Sequence, residues 1–110
     1  MAATRVSRKV FSGNALRESV TFRDDAGDPF VPSTLEYRVI NREDDSVITD
    51  WATVPSIAAD MTIIFDDSNF QTEDTSKASE VHEVTLFPNR QVAGFKASFV
   101  YDVEVIRAGV

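Results

Sequence analysis

Apolar and polar residues alternate with a period of two along much of the chain, which is the spacing of a β-strand with one buried face. The clearest run is the last one, Lys96–Arg107, where Phe99, Tyr101, Val103 and Val105 share one parity. Because the run is long and strongly apolar on that parity, we expect it to be the strand on which a sheet is built. Its exposed edge is a predicted docking site for a partner's strand.

Other segments repeat this alternation and are separated by strong turn signals. They are Glu18–Arg23, Leu35–Asn41, Val47–Val54, Met61–Phe65 and Val81–Phe87. Gly and Pro in the 24–29 turn, and the charged link 42–46, favour reversals of direction. The short link predicts an antiparallel hairpin between the second and third of these segments.

No segment has a convincing helical period of 3.6. With an irregular N-terminal piece, the strands number about seven, spaced roughly ten residues apart. This pattern predicts an all-β fold: a single antiparallel β-sandwich, immunoglobulin-like or fibronectin III-like, with an extended N-terminal arm. The long polar stretch 66–80 is predicted to be a loop with one helical turn around Thr75–Ser79, and loops of that length are often functional or mobile.

Size and composition narrow the class of protein. A chain of 110 residues is long enough for one domain with a single core. The absence of cysteine excludes disulfides and thiolate metal sites. No apolar run has the length of a membrane span or a signal peptide, so we expect a soluble protein that is not targeted to a membrane.

The charge of the chain is unevenly distributed. Residues 1–17 hold Arg5, Arg8, Lys9 and Arg17 without any acid, whereas the whole chain has a net charge of −7. Such asymmetry suggests an interaction arm at 1–17 followed by a sandwich domain at 18–110. The alternative is a frayed tail without a role. The acidic body argues against nucleic-acid binding, because it would repel phosphate.

Candidate chemical sites are few. The acidic pairs Asp24-Asp25, Asp44-Asp45 and Asp66-Asp67 could bind calcium, but aspartate is also a common turn former. The single histidine, His82, lacks a recognisable nucleophile to activate, and we expect it at the surface or half-buried. We therefore expect neither catalysis, as in a small hydrolase, nor a bound metal or cofactor.

Aromatic residues offer a structural and a functional interpretation. The structural one places Phe22, Tyr37, Trp51, Phe99 and Tyr101 in the core, with Trp51 between the two sheets. The functional one exposes Trp51 and Tyr37 as a stacking platform for a sugar. We favour the core, and we keep an adhesion or glycan-binding module as the alternative function.

The order of these segments resembles small β-sandwich proteins encoded in the structural gene clusters of tailed bacteriophages. The similarity runs from about residue 18 to 107 and includes a "Y-R" strand, an "I-x-x-W" strand and an "E-x-x-x-V-T" strand. The matching positions are Phe22, Asp25, Gly27, Pro29, Pro32, Tyr37, Arg38, Ile48, Trp51, Glu80, Val84 and Thr85.

The resemblance implies a non-enzymatic virion protein, assembled in the host cytoplasm, that binds other virion proteins. It leaves open a head decoration protein, a neck or connector component, and a tail or fibre adaptor. The assembly includes a homo-oligomer among its alternatives. In it, Arg5, Arg8 and Lys9 are expected to pack on an acidic face of a neighbouring subunit.

Overall fold

The described part of the chain is built from seven β-strands and one short 3-10 helix. The computed structural model describes residues 4–24, 26–73, 76–94 and 99–107. The strands are β1 Thr4–Phe11, β2 Leu16–Thr21, β3 Leu35–Asn41, β4 Ser46–Thr53, β5 Asp60–Phe65, β6 Ser79–Pro88 and β7 Phe99–Ile106, and the helix is Asp67–Asn69. The predicted all-β class is therefore confirmed.

The strands form two sheets whose arrangement is consistent with a β-sandwich. The larger sheet has five strands in the order β1-β7-β6-β3-β4, and the smaller pairs β2 with β5. Neighbouring strands are antiparallel except β1, which runs parallel to β7. The predicted β3–β4 hairpin is confirmed. The large sheet thus has β1 and β4 as its two edges.

Local sequence explains where the strands begin and end. In the turn after β2, the Asp24 side chain accepts hydrogen bonds from the amides of Ala26 and Asp28. In the β3–β4 link, Asp44 accepts from the amide and hydroxyl of Ser46. Both are turns in which the aspartate side chain accepts hydrogen bonds from residues that follow it closely in sequence. Asp25 lies outside the described residues.

The core lies between the two sheets and follows the predicted alternation. The buried apolar residues are Leu16, Val20, Phe22, Leu35, Val39, Val54, Ile63, Phe65, Phe70, Val84, Leu86, Tyr101, Val103 and Val105. Three of them lie on one parity of β7, as the sequence predicts. Phe99 and Tyr37 are partly buried against this cluster. Phe70 reaches the core from the loop after the 3-10 helix.

Two predictions about the ends of the chain need correction. The last strand is not a docking edge, because β7 is paired on both sides, with β1 and with β6. The segment predicted as an arm contains β1, an edge strand of the same sheet, and β2 begins at Leu16, before the predicted boundary at residue 17. Residues 1–3, 95–98 and 108–110, including Lys96, lie outside the described residues.

The 66–80 segment is tied to the sheet. Its helical turn is at Asp67–Asn69, where the Asp66 side chain caps the Asp67 amide. The predicted turn around 75–79 is not helical where it is described, since 76–78 form a turn and bends and Ser79 begins β6. Asp74 and Thr75 lie outside the described residues.

Candidate functional site

The basic residues of β1 form ion pairs within the chain. Arg5 donates to both carboxylate oxygens of Asp102 and to Glu83 at distances between 2.9 and 3.3 Å. The Lys9 ammonium lies 3.7 Å from a Glu104 oxygen. These contacts lie on the outer face of the large sheet. The acidic surface that was expected on a neighbouring subunit is therefore present on β6 and β7 of the same chain.

Arg8 points to the opposite face and contacts the small sheet. Its Nε and Nη2 donate to the two carboxylate oxygens of Glu18 at 2.8 and 2.9 Å. The Glu18 side chain is only 7% exposed, and its hydrogen bonds raise the pKa of Arg8. Arg17, the fourth predicted arm residue, is exposed on β2 in the other sheet. The structure thus places Arg5, Arg8 and Lys9 together on β1 but not Arg17.

The open edge of β1 presents backbone groups from alternate residues. The Ser12 amide donates to the Ile106 carbonyl of β7, so even-numbered residues of β1 direct their backbone groups towards β7. Arg5, Ser7 and Lys9 therefore direct theirs to the open side. In agreement, the Ser7 carbonyl accepts a hydrogen bond from Arg8 Nη1 rather than from β7. The Ser7 amide and both backbone groups of Arg5 and Lys9 are available to an added strand.

The other edge of the large sheet, β4, is irregular. Tyr37 pairs with Ala52 and Val39 with Thr49, so Asp50 and Trp51 together lie opposite a single β3 residue. A second shift follows at Ile48. Bulges of this kind twist an edge and disfavour the addition of another strand. The β1–β7 register has no such shift.

The bulge also explains why the predicted core position of Trp51 is wrong. In a regular strand Trp51 would share the face of Thr49, whose hydroxyl bonds to buried Asn69. The extra residue places Ala52 opposite Tyr37 instead, and Trp51 is half-buried outside the core cluster. It packs edge-to-face on Phe87 at 6.0 Å between ring centroids.

The Trp51 ring is also in contact with two arginines. The guanidinium carbon of Arg90 lies 4.5 Å from the ring centroid and that of Arg38 lies 5.2 Å from it. Arg90 in turn donates to Glu36. Cation–π contacts thus cover an aromatic surface that a sugar would have to reach.

His82 is fully buried, so the prediction of a surface or half-buried position is wrong. It lies on the inward parity of β6 together with Glu80, and neither side chain is exposed. The Asn69 carbonyl lies 2.8 Å from His82 Nδ1, and Glu80 Oε2 lies 3.0 Å from Nε2. The polar network replaces water around a group that would otherwise be costly to bury.

The hydrogen-bond partners of His82 determine where the protons of this network lie. The Asn69 carbonyl can only accept, so Nδ1 donates to it. Nε2 faces a carboxylate oxygen, and two lone pairs would repel each other without a proton between them. One proton therefore lies between His82 and Glu80, on an imidazolium or on a carboxylic acid. Both ring nitrogens are engaged within the protein, which leaves neither to act as a general base on a substrate.

Glu73, Glu80 and His82 have ligand atoms within 4.8 Å of one another and are the group with the geometry to hold a metal ion among the described residues. The Asn41 amide nitrogen, however, donates to Glu73 at 2.9 Å and to Glu80 at 3.1 Å. The Glu73 amide donates to the other Glu80 oxygen. These donors already occupy both oxygens of Glu80 and one oxygen of Glu73, so a metal ion would compete with them.

The three acidic turns are explained by local bonding. Asp24 and Asp44 accept from the residues that follow them, and the Asp66 carboxylate accepts from the Ser68 hydroxyl and the Asp67 amide. Hydrogen bonds from these donors lower the pKa of Asp66, and those from Ser46 lower the pKa of Asp44. Asp24, Asp44 and Asp66 therefore act as turn formers.

The Glu80–His82 pair was not predicted from the sequence. The available signal was their spacing: both occupy the parity of β6 that also carries Val84 and Leu86. Two ionisable residues on an apolar parity indicate a buried, paired network.

No protein-family model, curated protein or solved structure matches the chain. Within the described residues, no helix has the length and apolar character needed to cross a membrane.

Proposed function

We propose that the chain is a non-enzymatic structural protein of a tailed-bacteriophage particle, assembled in the host cytoplasm, that binds other virion proteins as a head decoration, neck or tail-adaptor component. The observation that carries the proposal is the contrast between the two edges of the large sheet. The β4 edge is bulged, whereas β1 is regular and keeps backbone donors and acceptors at Arg5, Ser7 and Lys9. A regular open edge is suited to binding another protein.

We also infer that the two sheets form one immunoglobulin-like sandwich. The order β7-β6-β3-β4 corresponds to strands G, F, C and C′ of a variable-type domain, and β2-β5 corresponds to B and E. Tyr37 occupies the strand that in antibody domains carries the core tryptophan. The fold supports a binding role only by analogy, because such sandwiches serve many functions.

The pairing of ionisable residues within the chain supports a role without catalysis. Glu18 pairs with Arg8, and His82 bonds with Glu80 and the Asn69 carbonyl. In each case the acidic or basic group that could transfer a proton to a substrate is already bonded to another group of the same chain. Together with the resemblance of residues 18–107 to phage β-sandwich proteins, this arrangement favours a building block of the particle.

Mass spectrometry of gradient-purified particles tests this proposal. The organism or phage from which the chain comes is grown, and any particles that it releases are separated from the soluble lysate. Peptides of the chain should be recovered with the particles in a fixed ratio to the major capsid protein. Recovery only from the soluble lysate would contradict the proposal.

The half-exposed position of Trp51 favours one alternative, a glycan-binding module. In that case the chain would bind a sugar saturably, and Trp51→Ala would abolish binding while leaving the fold intact. Because Arg38 and Arg90 already lie over the ring, sugar binding would require their displacement. A glycan array with the wild-type protein and this variant distinguishes the two functions.

A further inference from the structure

We propose that the open edge of β1 binds an extended segment of another protein, with carboxylates at two positions spaced four residues apart. This inference rests on the proposed function in taking the occupant to be another protein of the particle. It adds the chemistry of that partner and the residues that recognise it.

Backbone geometry defines how the segment binds. The open groups belong to Arg5, Ser7 and Lys9, and an added strand would pair with these alternate residues. The carbonyl of Ser7 is already bonded to Arg8, but its amide is not involved in the ladder with β7. The added strand would thus continue the large sheet by one member.

Side-chain charge selects an acidic segment. The side chains of Arg5 and Lys9 are 55% and 75% exposed, and both point to the outer face. Arg5 already bonds with Asp102 and Glu83, whereas Lys9 lies 3.7 Å from Glu104, which is beyond hydrogen-bond distance. Opposite charges directly across two strands stabilise the pair, and like charges destabilise it.

The same charges disfavour a second copy as the occupant. When β1 pairs antiparallel with β1 of another copy, centred on Ser7, Arg5 lies opposite Lys9 at both ends. Basic residues at an edge thereby limit self-association while they select an acidic partner. On the inner face, Val6 and the aliphatic part of Arg8, whose guanidinium is bonded to Glu18, favour apolar residues in the added strand.

The expected recognition pattern is therefore acidic, apolar, small polar, apolar, acidic. The sequence Glu-Val-Thr-Val-Glu has this pattern and reads the same in both directions, so it tests the edge for either strand orientation. A fluorescein-labelled peptide containing this sequence is titrated with the full chain and followed by anisotropy. A matched peptide, Lys-Val-Thr-Val-Lys, is the control.

Variants at the edge locate the site. Ser7→Pro removes the open amide without removing a bond to β7, since edge strands accept proline where the N–H faces solvent. Ser7→Ala keeps the amide and is its matched control. Lys9→Glu reverses the charge that faces the first or last acidic residue of the peptide. Circular dichroism and thermal unfolding confirm that each variant is folded.

We expect the acidic peptide to bind at least tenfold more tightly than the basic one. Ser7→Pro should weaken binding at least tenfold, Ser7→Ala less than twofold, and Lys9→Glu should reduce or invert the preference between peptides. Equal binding of both peptides, no binding of either, or full binding by folded Ser7→Pro would overturn the proposal.

Light scattering of the wild-type chain tests separately whether a second copy of the chain occupies the edge. A dimer that Ser7→Pro dissociates would identify a second copy as the occupant and would overturn the choice of partner. Recovery of the chain in particles together with failure of the peptide test would refute this inference alone. Peptide binding by a chain absent from particles would refute the proposed function alone.

Discussion

Arg8 and Glu18 connect the two sheets through a two-bond ion pair, with the guanidinium on the edge strand β1 and the carboxylate buried on β2. The pair holds a side chain of β1 against the buried carboxylate of β2. The basic residue predicted to contact a neighbouring subunit therefore has a structural partner in its own chain.

Removal of Arg8 should leave the Glu18 charge at the boundary of the core. We expect Arg8→Met to lower the free energy of unfolding by about 2 kcal/mol, which is less than for a fully buried pair because Arg8 is partly exposed. Arg8→Met/Glu18→Met should regain part of that loss. Urea unfolding measures both, and exposed Lys9→Met is the control, with an expected change within about 0.5 kcal/mol. Equal losses for Arg8→Met and Lys9→Met would contradict the role of the pair.

The protonation of His82 is predicted by its partners. Nδ1 should carry a proton, because it donates to the Asn69 carbonyl, and this proton should exchange slowly because the ring is buried. Nitrogen-15 shifts of the single imidazole, measured by long-range proton–nitrogen correlation, report its protonation directly. An unprotonated Nδ1 shift in the folded protein would show that the network is arranged differently.

Trp51 and Tyr101 should differ in their contribution to stability. Tyr101 is buried in the core, so Tyr101→Ala should cost about 3–5 kcal/mol. Trp51 packs on Phe87 outside the core, and we expect Trp51→Ala to cost about 1–2 kcal/mol. Since Trp51 is the only tryptophan, acrylamide quenching of its fluorescence gives an independent measure of exposure. If acrylamide did not quench the Trp51 fluorescence, the prediction would be wrong and Trp51 would be buried in the core.

Tyr101 should remain protonated in the folded protein at alkaline pH. Burial raises its pKa, and the nearby Glu18 carboxylate adds to the effect. Since the unfolded pKa is about 10, this contribution to stability is present below pH 10 and is lost as the pH rises towards the folded value. In Tyr37→Phe, where Tyr101 is the only tyrosine, tyrosinate absorbance should rise only as the protein unfolds. Reversible ionisation near pH 10 with unchanged circular dichroism would contradict this prediction.

The strands were largely predictable because alternation is a local property. The parity of β7, with Tyr101, Val103 and Val105 inward, and the β3–β4 hairpin both follow from sequence and are present in the structure. Trp51 shows where alternation fails. The extra residue places both Thr49 and Ala52 on the inner face and leaves Trp51 on the outer one, and no residue type near Asp50 indicates the bulge.

The site was less predictable because it depends on contacts between distant strands. Charge alone identified Arg5, Arg8, Lys9 and Arg17 as a group. Only the parallel pairing of β1 with β7 shows that Asp102 and Glu104 of the same chain lie beside Arg5 and Lys9. His82 was misplaced because an isolated polar residue on a strand is usually exposed. Its burial depends on Glu80 and on Asn69, which comes from a different segment.

The orientation of the β1 edge, on which the binding role depends, can be measured most directly by amide hydrogen exchange resolved by residue. In the free chain the amides of Val6, Arg8 and Val10 should be protected by β7, and those of Arg5, Ser7 and Lys9 should exchange rapidly. With the acidic peptide bound at saturation, Arg5, Ser7 and Lys9 should become protected as well. Rapid exchange at all six amides, or no added protection on binding, would contradict the account.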